Sequence, residues 1–573
     1  MNSASGLRRV PALTAAMVIA FTASGCSSGE DEVAYCVDQS NQVVDDDYCD
    51  SGYNGGGGYF IWLGSPAGRC PAAPPSPRVA RRSTRATARR AAARACPARA
   101  ATPAAAGAAG PAASARASTA GAAAAAAASA RRAADVRRVH DGVVRPGWQE
   151  TVTAQGLTYW ETELPDGSTT SYWREGQFYD FTAVEVAQLE RDAATLFEMC
   201  VEAGDHMVAH PELMLKMGIP EYTHGQVVGT WNDEPSKQSV FGRFDVRYGG
   251  DSRQSRLDPT LRRPQLLEFN ADTPTSLPES AYVQWEWFRE TGQGSDQWNS
   301  IFERLTRAWE RNLGLIEKGL RKDPVVYFAC DGADRSGEDL FNTFLMRDAC
   351  TQVTDGGRPR YKTRSIMMNQ ITLDEATGGF FEGDPADGRH LDVLFKLYPW
   401  EWLVHDDFGR AAFADMDRPG GTVWIEAPYK MLWSNKGLLP VLWQLFGTDP
   451  ARSPLILPAY FEDDDVPGWM QESHVRKPLL SREGANITIY EDGATIASTG
   501  GGYGEEGYVL QSYAPLPDFP GPDGSHHPVL GLWMVDGEPA GMGIRESPGL
   551  ITDNQSYFVP HVVGHGSPTQ QGA

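Results

Sequence analysis

Cysteine is scarce through most of this 573-residue chain. No CxxC pair occurs, so a structural zinc site of the usual ligand spacing has no support in the sequence. The eight cysteines divide unevenly along the chain: Cys26, Cys36, Cys49, Cys70 and Cys96, then Cys200, Cys330 and Cys350. The long C-terminal part is therefore typical of a reduced, intracellular enzyme rather than of a disulfide-stabilised secreted domain.

Common nucleotide loops, repeats and long apolar runs are also missing. The chain has no GxxxxGK[ST] motif, which excludes a P-loop, and no internal duplication, which excludes a repeat array. The apolar run near the N-terminus, residues 10–23, is too short to span a bilayer as a stable helix.

Positive charge has one dense stretch. Residues 71–140 hold thirteen arginines, no lysine and one acid, Asp135, and contribute about +12 to a formal net charge of −23. The rest of the chain therefore carries about −35. This acidic remainder is not expected to bind nucleic acid, because binding nucleic-acid phosphates requires clustered Lys and Arg. The 41% of hydrophobic and 10% of aromatic residues are enough to bury a sizeable core.

The first 26 residues have the layout of a bacterial lipoprotein signal. Arg8 and Arg9 precede the apolar run, and small residues stand directly before Cys26. This pattern predicts cleavage and lipidation at Cys26, so that membrane contact would come only through a lipid anchor. An apolar N-terminal segment without processing is the alternative. Residues 27–70, with their cysteines and glycines, are interpreted as a small secreted segment with one or two disulfides.

Residues 71–140 are rich in Ala, Arg and Pro and cannot bury a core, which predicts a disordered low-complexity linker. The Ala-rich composition also supports a helix, although Pro97, Pro103 and Pro111 interrupt it. A third interpretation is that this stretch is translated out of frame and joins the products of two neighbouring genes.

The remaining residues, 141–573, have the composition of one globular body. Helices are predicted at 184–203 and 295–318, and strands at 324–329 and 486–490, without a fixed repeat. This mixture favours an α/β or α+β enzyme.

Two predicted strands carry acidic and amide side chains. Strand alternation places Arg243 and Asp245 on one face of the first, and Glu268 and Asn270 on one face of the second. If the strands are neighbours, three oxygen ligands converge, and Mg²⁺ prefers such ligands. The alternative is a solvated strand face.

Two lysines further along the chain are candidates for phosphate binding. Lys436 stands at the start of an apolar helix-like run. Its ammonium is expected either at the edge of a binding site or in solvent. Lys477 precedes the glycine-containing segment 481–486, and a cation with such a turn can hold phosphate oxygens. Without the P-loop spacing, this signal is weak on its own.

The end of the chain offers a nucleotide-binding segment and an arginine. Residues 510–513 are interpreted as an extended segment whose backbone groups read an adenine edge. Arg545 is expected to meet a γ-phosphate or a substrate carboxylate through its planar fork. The alternative for Arg545 is a surface ion pair with Glu546 or another acid.

Taken in order, these motifs resemble the C-terminal synthetase domain of the glutathionylspermidine synthase family. The resemblance is colinear over residues 148–560 and includes the stretch 394–402. It implies an α+β architecture, the ATP-grasp fold with a preceding α/β substrate-binding (pre-ATP-grasp) subdomain. It also implies a carboxylate–amine ligase, in which ATP phosphorylates a carboxylate and an amine attacks the acyl phosphate.

The resemblance also implies roles for particular positions. Mg²⁺ would be bound by Asp245, Glu268 and Asn270, and Arg243 and Arg545 are the candidate catalytic residues. ATP, the co-substrate, would contact Arg243, Lys436, Lys477, Glu483, Gly484, Leu510, Gln511, Ser512, Tyr513, Leu550 and Ile551. Substrate binding is assigned to Thr273, Thr275 and Glu338.

The sequence departs from the family pattern at several places. Residues 273–278 (TPTSLP) replace the Ser-rich, cysteine-containing segment that recognises glutathione in the family enzyme, and Val529 replaces a glutamine that contacts ATP there. The amidase domain of the bifunctional enzyme is absent as well. The expected substrates are therefore a small-molecule or peptide carboxylate and an amine, among which a polyamine suits the acidic body.

A second class of function stays open, a membrane-anchored lipoprotein whose nucleotide-binding body no longer catalyses. The ligase body is expected in the cytoplasm, where ATP is available, whereas the N-terminal segment suggests a membrane lipoprotein. Joining of two separate gene products would account for both features.

Overall fold

The computed structural model describes residues 137–163, 167–233 and 239–564, together with two short strands nearer the N-terminus. These strands, β1 (Val33–Val37) and β2 (Tyr59–Leu63), pair antiparallel with each other. The predicted signal with Cys26, and the predicted linker up to residue 136, lie outside the described residues. Within the described ranges, no helix has the length and apolar character needed to cross a membrane.

The described body begins at β3 (Arg137–Val139), four residues before the boundary predicted at 141. Arg138 gives the physical reason, because its guanidinium forms a buried ion pair with Glu546, 2.8 Å between Nε and Oε2. Burying a charge is tolerated when it is paired in this way.

The elements up to residue 270 form the first part of the body. Its further strands are β4 (Glu161–Glu163), β5 (Thr169–Ser171), β6 (Phe178–Phe181), β7 (Phe241–Arg247) and β8 (Gln265–Asn270). Its helices are α1 (Trp148–Ala154), α2 (Ala183–Ala209), α3 (Pro211–Lys216), α4 (His224–Asn232) and α5 (Gln254–Leu257).

The middle part alternates helices and strands. Its helices are α6 (Gln284–Thr291), α7 (Ile301–Ile316), α8 (Glu338–Thr351), α9 (Trp400–Leu403), α10 (Gly409–Met416), α11 (Met431–Ser434) and α12 (Leu438–Phe446). Its strands are β9 (Val325–Cys330), β10 (Thr354–Asp355), β11 (Arg358–Pro359), β12 (Lys362–Met367), β13 (Ile371–Asp374), β14 (Gly379–Glu382), β15 (Arg389–His390), β16 (Val393–Leu397) and β17 (Val423–Ile425).

The last part is mostly strand. It contains β18 (Ala459–Phe461), α13 (Gly468–Glu472), β19 (His474–Pro478), β20 (Thr488–Glu491), β21 (Ala494–Ser498), β22 (Tyr508–Ser512), β23 (His527–Val535), β24 (Glu538–Ser547), β25 (Tyr557–Phe558) and β26 (His561–Val563). Short 3₁₀ turns and one π turn lie between the elements, at Glu221–Thr223, Pro259–Arg262, Glu279–Val283, Glu317–Gly319, Met368–Gln370, Pro428–Lys430 and Ser453–Leu455.

Two five-stranded antiparallel sheets dominate the fold. Sheet A has the strand order β25-β24-β23-β7-β8, and sheet B has the order β18-β22-β19-β20-β21. Sheet A therefore joins strands from the first and last parts of the chain. Sheet B comes from one continuous segment.

A four-stranded parallel sheet, β12-β9-β16-β17, forms a separate α/β layer. Every residue of β9 and β16 is buried, as is usual for parallel strands covered on both faces. This layer lies between β8 and β23 in the chain, so the α/β subdomain interrupts sheet A in sequence and precedes sheet B. The overall α+β content agrees with the ATP-grasp expectation.

The predicted elements match those observed, with shifted ends. The helix predicted at 184–203 runs from Ala183 to Ala209, and the helix predicted at 295–318 is confined to Ile301–Ile316. At the start of α2, Thr182 accepts a hydrogen bond from the Glu185 backbone amide, and the Glu185 carboxylate accepts one from the Thr182 amide. This capping box fixes the N-terminal boundary of the helix.

Candidate active site

The predicted carboxylate pair lies at the centre of the cleft between sheets A and B. Strands β7 and β8 pair antiparallel, with Arg243 opposite Asn270 and Asp245 opposite Glu268. The sequence-based prediction that these four side chains share one face is confirmed. On the other face, the rings of Phe244 and Phe269 pack in the core with centroids 4.1 Å apart, which explains the alternation.

Hydrogen bonds join these four side chains. Arg243 donates from Nε to Asp245 Oδ1 at 2.6 Å and from Nη2 to Oδ2 at 2.9 Å. Asn270 Nδ2 donates to Asp245 Oδ2 at 3.0 Å and to Glu268 Oε1 at 3.2 Å. The two carboxylates thus share one amide donor and are held within reach of a single cation.

The two carboxylates have different proton affinities. Burial raises the pKa of Asp245, although the Arg243 guanidinium acts in the opposite direction. Burial alone would also raise the pKa of Glu268, but Lys436 and Lys477 lower it to about 2. Glu268 is therefore ionised at neutral pH and available as a metal ligand or ion-pair partner.

Both candidate phosphate-binding lysines reach this pair. Lys436, between α11 and α12, places Nζ 3.1 Å from Glu268 Oε2 and donates to the Ser481 carbonyl oxygen at 2.9 Å. Lys477 on β19 donates to Gln511 Oε1 at 2.7 Å and to the Leu267 carbonyl oxygen at 3.1 Å. Burial lowers the pKa of Lys477 to about 8.

The segment 481–486 folds over one side of the cleft. Glu483 and Gly484 both adopt positive φ angles, 55° and 70°, and a Cβ at Gly484 would lie 2.6 Å from the Thr552 carbonyl oxygen. Asn554 Nδ2 donates to Glu483 Oε2 at 2.5 Å. The close approach requires glycine at position 484 and brings the loop against the segment that contains Leu550 and Ile551.

The segment predicted to read adenine is strand β22 and the residue after it. Gln511, Ser512 and Tyr513 line the cleft. Leu510 does not, because its side chain packs with Val466 and Met470 in a small separate cluster. Strand β22 is paired on both sides, with β18 and β19, inside sheet B.

Arg545 projects into the cleft from β24, opposite Val529 in the strand register. Its Nη2 donates to the Asp553 carbonyl oxygen at 2.7 Å. The alternative ion pair with Glu546 is not formed, because Glu546 is on the opposite strand face and pairs with Arg138 and His526.

Of the three residues assigned to substrate binding, Thr273 and Thr275 line the cleft and Glu338 lies beside it. Thr273 Oγ1 accepts a hydrogen bond from Arg482 Nη1 at 2.8 Å, and the Thr275 carbonyl oxygen accepts one from Arg243 Nη1. Glu338 is not in the cleft wall itself. It begins α8 beside Thr275, whose hydroxyl hydrogen bonds to its carboxylate, and burial raises its pKa.

Glu338 belongs to an acidic group that the sequence-based prediction missed. Glu279 is fully buried, and the hydroxyls of Tyr159 and Tyr172 donate to its Oε1 at 3.1 and 2.8 Å. Burial, together with the charge of Glu338, raises the pKa of Glu279 to about 7 and that of Asp339 to about 7. The four acids within the segment 331–339 were the signal in the sequence that could have revealed this group.

A buried ion pair supports the floor of the site. Lys396 Nζ donates to Asp272 Oδ1 at 2.8 Å, and Asp272 Oδ2 accepts the Trp400 backbone amide at 2.8 Å. Lys396 is fully buried, so this pairing locks the stretch 394–402 to the end of β8. Arg482 lies 5.4 Å above the Trp402 ring, at the rim of the cleft.

Together, the cleft residues surround about 1640 Å³ of free space, part of it open to solvent. Of the residues predicted for catalysis, ATP, metal or substrate binding, all except Leu510 and Glu338 line this cleft.

The described body is similar in sequence to known proteins. The family described as glutathionylspermidine synthase preATP-grasp matches residues 139–564. A putative acid–amine ligase from Haemophilus influenzae is 32% identical over 442 residues, which cover 74% of this chain and 99% of that protein.

More distant relatives are longer proteins. Trypanothione synthetase from Crithidia fasciculata is 24% identical over 385 residues, which cover 63% of this chain and 53% of that protein. The bifunctional glutathionylspermidine synthetase/amidase of Escherichia coli is 22% identical over 410 residues, which cover 67% of this chain and 59% of that protein. The chain thus matches little more than half the length of these two relatives. A solved glutathione synthetase-like effector from Globodera pallida overlaps 72% of this chain and 95% of its own at 11% identity, but its TM-score of 0.43 is too low to bear on the assignment.

The two facing antiparallel sheets and the family match define the class of protein as an ATP-grasp enzyme, an ATP-dependent carbon–nitrogen ligase. Within that class, the chain belongs to the glutathionylspermidine synthase family.

Proposed function

We propose that the body joins a carboxylate to an amine at the expense of ATP, with Mg²⁺ and through an acyl-phosphate intermediate. The observation that carries this proposal is the convergence of Asp245 and Glu268 with Lys436 and Lys477 in one cleft. Phosphoryl transfer to a carboxylate depends mainly on positioning and charge neutralisation, and these groups supply both.

The donor set of Asp245, Glu268 and Asn270 suits Mg²⁺, which prefers a few hard oxygen ligands and completes its shell with phosphates and water. When bound there, Mg²⁺ would neutralise phosphate charge during transfer. Arg243 has two roles in this proposal. It orients Asp245 through two hydrogen bonds, and its guanidinium faces the place where the acyl phosphate forms.

ATP phosphates are assigned to Lys436, Lys477 and the turn at Glu483 and Gly484. The side chains of Gln511, Ser512 and Tyr513 flank the base, while Leu510 contributes only its backbone, since its side chain packs elsewhere. Leu550 and Ile551 close the opposite wall. Val529, where the family enzyme has a glutamine, gives the nucleotide an apolar contact instead of a hydrogen bond.

The reacting substrates are assigned to the end of the cleft near Thr273 and Thr275. Arg545 lies on that side as a cation for the carboxylate or the developing acyl phosphate. Glu279, Glu338 and Asp339 lie at the neighbouring end, where burial raises the pKa of each carboxyl, and a cationic amine bound there would favour their ionised form. A polyamine is one candidate amine, and a small or peptide acid is the candidate carboxylate.

The reaction is tested by ADP release from the full-length chain with Mg²⁺–ATP. Glutathione, short peptides and amino acids serve as carboxylates, each against spermidine, other polyamines and amino acids. We expect turnover only when one carboxylate and one amine are both present, at least about 100-fold above ATP alone, because the acyl phosphate is protected from water until an amine attacks. Residues 273–278 lead us to expect that glutathione with spermidine is not the fastest pair.

Two results would revise this proposal. If glutathione with spermidine is fastest by a wide margin, the substrate expectation is wrong and the ligase reaction stands. If Mg²⁺–ATP binds but no pair releases ADP, the body only binds nucleotide, as in the lipoprotein alternative.

We further propose that the segment 481–486 is a lid over the phosphates, because such covers must open for entry and release. Trypsin is expected to cut after Arg482 in the free protein and about 10-fold more slowly with Mg²⁺–ATP. Cleavage after the exposed Lys322, far along the chain from the lid, is the internal control and should not respond to nucleotide. Equal protection at both sites, or none at either, contradicts the lid assignment.

A further inference from the structure

A second cluster of polar side chains lies outside the cleft, where the end of β3 meets the turn before β23. It consists of His140, Asp523 and His526, none of which lines the cleft. One ligand-type atom from each of the three lies within 4.8 Å of the others. The cluster joins residues nearly 400 positions apart in the chain, and the ligase reaction uses none of them.

His526 is held between two carboxylates. Its Nδ1 lies 2.9 Å from Glu546 Oε1, and its Nε2 lies 2.9 Å from Asp523 Oδ1. If Nδ1 carries the proton and donates it to the buried Glu546, the Nε2 lone pair faces a carboxylate oxygen. Two electron-pair donors at that distance require a proton or a metal ion between them.

His140 Nδ1 is the third ligand-type atom, and it must turn from Arg138 to the ion when an ion binds. Its Nδ1 lies 3.9 Å from Asp523 Oδ1 and 2.5 Å from Arg138 Nη1. Since arginine only donates, this imidazole nitrogen is an acceptor. Arg138 already makes two 2.8 Å hydrogen bonds to Glu546, so its guanidinium stays neutralised when it withdraws from His140.

We propose that His140, Asp523 and His526 bind one divalent transition-metal ion of the zinc class, with Glu546 orienting His526 from behind. Two imidazoles and one carboxylate are a common ligand set for zinc, and a fourth position is left for water. A carboxylate behind a metal-bound histidine is the usual outer partner. The half-exposed Asp523 side chain gives the ion a route from solvent, whereas the His526 side chain is only 3% exposed.

Binding of this ion ties β3 to the turn that precedes β23. An ion that binds only the folded chain stabilises it by mass action, so the melting temperature should rise with ion concentration. Protons compete for the same nitrogens, so affinity should fall as the pH drops through the histidine range.

The test uses Co²⁺ as a coloured substitute for zinc, added to the chelator-treated full-length chain without ATP. All samples carry His206→Gln and His210→Gln, because these two rings lie 4.4 Å apart at the C-terminal end of α2 and form an obvious surface site for adventitious binding. We expect one equivalent of Co²⁺ with the strong visible absorption of four-coordinate nitrogen and oxygen ligation, displaced by one equivalent of Zn²⁺. Oxygen-only binding at Asp245 and Glu268 would give weak six-coordinate absorption instead.

Variants assign the ligands. His140→Gln and Asp523→Asn change partly exposed residues, so they should fold, and each should weaken Co²⁺ binding at least about 100-fold. Glu546→Gln should weaken it about 10-fold. His405→Gln, at an exposed histidine, is the matched control and should bind normally. Absence of the strong absorption, or equal absorption in His140→Gln and Asp523→Asn, overturns the site and leaves the cluster as a proton-bridged ion network.

Discussion

The double variant Asp245→Asn, Glu268→Gln is expected to lose magnesium-dependent ATP binding and to lower amide-forming turnover by about 1,000-fold or more. The two side chains lie opposite each other on β7 and β8 and share the amide donor of Asn270. Removing both charges also leaves Lys436 without its carboxylate partner 3.1 Å away. ATP should still bind weakly through the lysines, but no longer in a magnesium-dependent way.

Calorimetric titration of the full-length chain with ATP, with and without Mg²⁺, measures this effect directly. The matched control is Asp355→Asn, Glu190→Gln, which removes the same two charges at exposed positions and should leave binding unchanged. Circular dichroism establishes that both double variants are folded. Normal magnesium-dependent binding by the Asp245, Glu268 variant would falsify the metal assignment.

The centre of the cleft could be predicted from the sequence because strand alternation is a strict rule. Once Arg243, Asp245, Glu268 and Asn270 are assigned to strands, each pair must share a face. The only further assumption was that the two strands are neighbours in one sheet, and the observed register confirms it. Lys477 was predicted from a different signal, its place shortly before the glycine-containing segment 481–486.

The acidic end of the site could not be predicted in this way. Glu279 and Glu338 lie on different elements, a π turn and the start of α8, and only the tertiary fold brings their charges together. Their raised pKa values come from burial, which the local sequence does not encode. The partner of Arg545 was likewise set by tertiary contacts, since Asp553 reaches it with a backbone carbonyl oxygen.

The Leu510 side chain was misplaced in the sequence-based prediction for a different reason. The segment 510–513 was correctly placed beside the cleft, but adjacent residues of a strand point to opposite faces. Gln511 faces the cleft, so the Leu510 side chain points away from it and packs with Met470 in the small separate cluster. Applying alternation to this segment would have excluded the Leu510 side chain from the start.

The cleft is formally neutral within an acidic chain. The whole sequence carries a formal net charge of −23, whereas the cleft is lined by five cationic side chains and five acidic ones: Arg243, Lys436, Lys477, Arg482 and Arg545, with Asp245, Glu268, Asp272, Glu401 and Glu483. Its cations make the cleft a more favourable place for polyphosphate than the acidic chain average suggests. The cost is strong repulsion among the cations, which the ionised Glu268 relieves between Lys436 and Lys477. One carboxylate thus lies between both lysines until phosphate oxygens arrive.

Lys477→Met is expected to lower kcat/KM for ATP by about 100- to 1,000-fold, because it removes a buried cation aimed at the phosphates while keeping the length of the side chain. Burial lowers the pKa of Lys477 to about 8, so the wild-type lysine is charged below pH 8 and loses its charge above it. The wild-type kcat/KM should therefore fall as the pH rises through 8, and the low activity of Lys477→Met should lack this limb.

Lys477→Arg keeps a charge at all these pH values and should shift the limb beyond pH 10 even if its geometry lowers the rate. Lys362→Met, at an exposed lysine on β12, is the matched control and should keep both the rate and the pH profile. A limb near pH 8 that persists in Lys477→Met would belong to another group and would remove Lys477 from the phosphate site.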